Sequence, residues 1–129
     1  MLAVDTNVIV RYLTRDDVIQ FAKAEALIAS NDLFVATTVL LESEWVLRRG
    51  YRFTRVQIAE ALGAFAGLPR TTLEDPALAA KAFDWMNSGM DFADALHLAG
   101  TEHCEAFVSF DRRLATVASR IGHGRVRPP

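Results

Sequence analysis

Met1-Leu2-Ala3-Val4-Asp5-Thr6-Asn7-Val8-Ile9-Val10-Arg11-Tyr12-Leu13 opens the chain with a short apolar run, an abrupt polar turn and then apolar residues at helical spacing. A run of this length followed at once by a helix reads as a buried strand of a parallel sheet. The unit recurs downstream. Leu33-Phe34-Val35-Ala36 precedes a helical pattern over 39–49, and Ala106-Phe107-Val108-Ser109 precedes one marked by Leu114, Val117, Ala118 and Ile121. Thr71-Thr72-Leu73 is a weaker strand ahead of Leu78, Ala82, Phe83 and Met86, and residues 122–129 offer an edge strand. Strands alternating with helices specify an α/β fold with a central, mostly parallel sheet covered on both faces, a three-layer α/β/α arrangement.

The helix boundaries carry their own signals. Asp17 is placed to cap the helix that runs to about Ser30, Thr54-Arg55-Val56-Gln57 has the form of a capping box, and Asp75-Pro76 is a cap followed by a first-turn proline. Gly50 is expected at the C′ position of the 39–49 helix. At 129 residues and 51% hydrophobic content, the chain reads as a single domain over 1–129 with a sufficient core. No apolar run reaches the roughly 18–20 residues of a membrane span, and no signal-peptide pattern is present, so a cytoplasmic protein without membrane association is expected. The lone Cys104 excludes an intrachain disulfide and reads as a small core residue. A net charge of −2 gives no bulk attraction for a polyanion. The cations are nonetheless almost all arginine, a residue suited to phosphate, although solvated helix ends account for most of them.

The acids are the informative residues. Asp5 and Asp111 directly follow strands, where parallel α/β folds open their ligand crevices. In Asp91-Phe92-Ala93-Asp94-Ala95-Leu96-His97-Leu98-Ala99, Asp91 and Asp94 are three apart and share a helical face. Glu42 lies with Val39, Trp45, Val46 and Arg49 on or beside the apolar stripe of its helix. Glu44 falls further round and is expected to pair with Arg48 one turn on. A capping role remains open for Asp5 and Asp91, since acids are favoured at helix starts. If Asp5, Glu42, Asp94 and Asp111 meet at one sheet edge, they cannot all stay ionised uncompensated. Two charges about 4 Å apart repel by roughly 4 kcal/mol at an effective dielectric near 20. A divalent cation resolves this, and oxygen-only donors point to Mg²⁺, with Mn²⁺ as a substitute, rather than zinc. His97 is expected on the buried side or behind the ligands; His103 and His123 are expected to be solvated.

Val4-Asp5-Thr6-Asn7-Val8, Leu41-Glu42, Asp91-Phe92-Ala93-Asp94-Ala95-Leu96 and Ser109-Phe110-Asp111-Arg112 together resemble, in order, the motifs of PIN-domain ribonucleases, and most closely the VapC toxins of VapBC toxin–antitoxin pairs. The resemblance covers nearly the whole chain. It implies a PIN-like fold and Mg²⁺- or Mn²⁺-dependent endoribonuclease activity. Asp5 and Asp94 then match the principal metal-binding acids, Glu42 the helix glutamate, Asp111 the more variable fourth acid, and Asp91 an additional, outer acid. It also implies an RNA substrate, a cognate VapB-like antitoxin and a homodimer. Ser43, where leucine is frequent, and His97, where a small aliphatic residue is frequent, depart from the pattern. A PIN-like RNA- or partner-binding module with little catalysis is the alternative. A receiver-like domain fits poorly, because no Asp-x-Asp motif follows the first strand and no clear lysine follows a late one.

Overall fold

Each strand expected from a short apolar run is present, and each of the first four is followed by a helix. The computed structural model describes residues 1–129 and divides into two compact units, Met1–Pro76 and Ala77–Pro129. In the first unit, β1 (Leu2–Ala3) leads into α1 (Thr6–Thr14) and α2 (Val18–Ser30); β2 (Leu33–Val35) leads into α3 (Thr37–Gly50) and α4 (Arg55–Ala66); β3 (Thr71–Leu73) closes it. The strands pair in the order β1-β2-β3, all parallel, with Leu2 opposite Leu33 and Val35 opposite Leu73. A parallel pair needs a long crossover, and each helix pair supplies one. Leu33, Val35, Leu40, Leu47, Ile58, Leu62 and Phe65 form the fully buried centre. The Tyr12 ring stacks on Phe21 and meets Phe65 edge-on, both at 5.9 Å. Burying an aromatic ring such as Phe65 stabilises by about 2–3 kcal/mol.

The second unit runs through α5 (Pro76–Asn87), α6 (Phe92–Ala99), β4 (Phe107–Val108), α7 (Arg112–Arg120) and β5 (Val126–Arg127). β4 and β5 pair in parallel, Phe107 opposite Val126, with α7 as the crossover. The terminal edge strand is therefore real. Ala82, Met86, Met90, Phe92, Ala95 and Leu98 are buried here, and Phe92 stacks on Phe83 at 5.2 Å. That contact holds the start of α6, which carries two acids. The protein is thus of the α/β class with parallel pairing throughout, its strands distributed over a three-stranded and a two-stranded sheet.

The capping chemistry is as the sequence predicts for α2 and α4. The Asp17 side chain accepts from the Gln20 N–H at 2.9 Å, and Thr54 with Gln57 forms a reciprocal capping box. Two local expectations are corrected. Gly50 is the last residue of α3, and Tyr51 is its C-cap. The left-handed residue that turns the chain is Arg52, at φ 57°, and the Phe53 N–H closes the turn on the Leu47 carbonyl. The first strand, expected to be buried, exposes Leu2 and Ala3, and burial begins at Val4. No helix is long and apolar enough to cross a membrane.

Candidate functional site

The acids of the first unit are arranged by helix starts and one long-range hydrogen bond. Asp5 follows β1 in an extended conformation and accepts from the Thr6 N–H at 2.8 Å, so it is the N-cap of α1. One carboxylate oxygen suffices for that cap. Asp5 is exposed, so capping and ligand binding are compatible at this residue. Thr6 is buried and donates its hydroxyl hydrogen to Oε1 of Glu42 on α3. This bond orients Glu42 from α1, 36 residues away in sequence. Thr6 was not singled out from the sequence; the available signal was a hydroxyl directly after the acid, at a helix start.

Helix α3 corrects the expected placement of Glu42. Its buried face is Leu40, Ser43, Glu44 and Leu47, whereas Glu42 and Trp45 are exposed. Ser43 can lie in the core because its hydroxyl donates to the Val39 carbonyl at 2.7 Å, which satisfies the group within the helix. Glu44, almost fully buried, accepts from Arg48 Nε at 2.8 Å, the expected pairing one turn on. Glu42 is left at the surface with an oriented carboxylate.

In the second unit three acids lie close enough to influence one another. Asp91 caps α6 by accepting from the Asp94 N–H at 3.2 Å, so the capping role left open for it is realised. Asp94 lies half-buried in the first turn. Asp111 caps α7, accepting from the N–H groups of Arg113 at 2.9 Å and Leu114 at 3.1 Å. Burial, then the charges of Asp91 and Asp111, push the Asp94 carboxyl above the usual carboxylate range, against an opposing pull from His97. These are the conditions a cation relieves. The donors are all oxygens, which suits a hard divalent ion. In neither unit do three or more His, Cys, Asp or Glu side chains form a ready-made metal cage.

Other expectations fare differently. Cys104 is exposed rather than in the core, because it lies in the turns after α6. His97 is exposed rather than on the buried side, since Ala95, Leu96 and Leu98 occupy that face of α6. His103 is solvated as expected, while His123 packs its ring against Trp85 at 4.4 Å. A cavity of about 330 Å³ between α1 and α2 is lined by Val8, Ala24 and Leu27 with Arg11 and Lys23; none of the acids lines it.

The PIN domain family profile matches residues 2–120, a span that includes every one of these acids. The chain belongs to the PIN-domain family. PIN domains are nucleases that generally use divalent metals, so the oxygen-only acids of this PIN domain suit that chemistry. Among solved structures, the chain is similar to VapC20 of Mycobacterium tuberculosis, a toxin that cleaves the sarcin-ricin loop. The two share 22% identity over 99% of this chain and 100% of that one, with a TM-score of 0.44. No curated protein sequence matches the chain.

Proposed function

We propose that this PIN domain is a Mg²⁺-dependent endoribonuclease, with Mn²⁺ as a substitute, and the toxin of a type II toxin–antitoxin pair. The observation that carries the reading is the family match over residues 2–120, a span that includes Asp5, Glu42, Asp94 and Asp111. On this reading both units, over 1–129, act as one PIN domain. Asp5, Glu42, Asp94 and Asp111 hold the cation, and Asp91 is an outer acid that also caps α6. The cation, when bound, supplies charge neutralisation on the phosphate and activation of the attacking water.

The chain's own residues supply the rest. Thr6 keeps the Glu42 carboxylate in one orientation, so less freedom is lost when a ligand engages it. One of the carboxylates acts as general base, receiving a proton as water attacks phosphate. The partners are an RNA substrate, a VapB-like antitoxin and a second copy of the chain, in the cytoplasm. Purified protein is expected to cleave RNA with Mg²⁺ or Mn²⁺ and to stop in EDTA. A folded chain inert with both metals would sink the proposal.

The second reading is a PIN-like RNA- or partner-binding module with little catalysis. Calorimetric titration with Mn²⁺ separates the two. The nuclease shows a saturable site that Asp94→Asn removes; the module shows none.

A further inference from the structure

The turn between β4 and α7 breaks two local rules at adjacent positions. Phe110 is 88% exposed, more than any other large hydrophobic side chain of the protein. Its backbone is tied on both sides. The Ser109 N–H bonds the Arg127 carbonyl at 3.0 Å, the Asp111 N–H donates to Ser109 Oγ at 3.0 Å, and Asp111 caps α7. The ring is therefore displayed from a fixed point rather than from a loose loop. Arg112 and Arg113, both exposed, are the first two residues of α7, where the helix dipole disfavours cations. Rule-breaking of this kind, with no packing gain, concentrates at functional positions.

The combination selects a partner. A planar apolar ring beside two guanidinium groups complements a polyanion whose flat bases are unpaired. In a duplex, bases are stacked and paired and offer no face to such a ring. The net charge of −2 supplies no general attraction for nucleic acid, so recognition has to be local. We infer that Phe110 is a stacking platform for an unpaired base of the RNA, with Arg112 and Arg113 on the adjoining phosphates. This rests on the ribonuclease reading, in which Asp111 is one of the cation-binding acids.

The test is fluorescence anisotropy of the full chain in EDTA, which isolates binding from cleavage. The probes are a labelled 12-nucleotide single-stranded RNA of mixed sequence and a hairpin duplex of the same composition. Wild type is expected to prefer the single strand. Phe110→Ala and Phe110→Leu should each weaken it by about 5- to 100-fold, the range of one lost base stack, while Phe110→Trp stays close to wild type. Replacing both Arg112 and Arg113 by Ala should lower the salt slope by about 1.4. Circular dichroism checks folding, which an exposed side chain should not alter. No single-strand binding by wild type, or equal binding by folded Phe110→Ala, would overturn the inference. So would a loss that sedimentation traces to dissociation of a dimer, which assigns the ring to self-association. Cleavage of the same RNA with Mn²⁺, measured in parallel, separates the two readings. Cleaving wild type with unaltered Phe110→Ala binding defeats only the stacking platform. Ring-dependent binding without cleavage defeats only the nuclease.

Discussion

The two units treat their acids in opposite ways. In the first, three carboxylates have donors: Asp5 the Thr6 N–H, Glu42 the Thr6 hydroxyl, and buried Glu44 the Arg48 guanidinium. In the second, Asp91 and Asp111 each have a helix cap, yet both press on half-buried Asp94 and raise its proton affinity. The difference teaches what each half lacks. The first unit offers, at Asp5 and Glu42, carboxylates already oriented by neutral donors, and the second holds an excess of charge that a proton or a cation relieves.

Removing a donor should therefore hurt the first unit, whereas removing an acid should help the second. The largest effect is expected for Arg48→Ala, which leaves Glu44 buried without its cation. A loss of about 3 kcal/mol in denaturant unfolding is expected, the low end for a broken buried pair because Arg48 is partly exposed. A change below about 0.5 kcal/mol, the ordinary range of surface substitutions, would show that Glu44 is satisfied without Arg48. Next is Thr6→Val, which keeps the buried volume but removes the hydroxyl that orients Glu42. It should weaken Mn²⁺ binding about tenfold, with Thr6→Ser restoring it. Equal affinity in Val and Thr proteins would make that hydrogen bond incidental.

The smallest effect has the opposite sign. Metal-free Asp94→Asn should be more stable than wild type at neutral pH, by about 0.5 kcal/mol, a size set by partial exposure and screening. Loss of a charge from the first turn of α6 works against this gain, but the raised proton affinity shows that the ionised form is disfavoured on balance. The pH dependence follows from that direction. A carboxyl with a raised folded-state pKa is destabilising when ionised, and the penalty disappears as pH falls through the folded value towards the unfolded one. The advantage of Asp94→Asn should therefore be present at neutral pH and vanish in acid. Lower stability of Asp94→Asn at pH 7 would instead make Asp94 a helix-dipole partner.

What the sequence disclosed follows the range of the interactions involved. Helix starts at Asp17 and Thr54 depend on donors three residues away, and the Glu44–Arg48 pair on a residue one turn on, so all three were legible. The positions of β1, β2 and β4 were legible because apolar runs between turn signals mark them. The partition of strands into two sheets was not, because pairing is decided across whole crossovers. Glu42 was assigned to the wrong face because Trp45 was taken as part of the buried stripe, whereas Trp45 is exposed and Ser43, its hydroxyl satisfied by the Val39 carbonyl, packs in the core. Thr6 escaped notice because its partner is 36 residues away. The candidate acids were chosen as a set, through their order along the chain, more than through any one position.

The most direct test of the proposed nuclease is RNA cleavage with Mn²⁺ by wild type, Asp5→Asn, Asp94→Asn and the double variant. Groups that act as one unit in catalysis give non-additive losses. Each single variant is expected to lose on the order of a thousandfold or more, with the double variant no worse than the weaker single one. A folded Asp94→Asn protein that cleaves at the wild-type rate would contradict it.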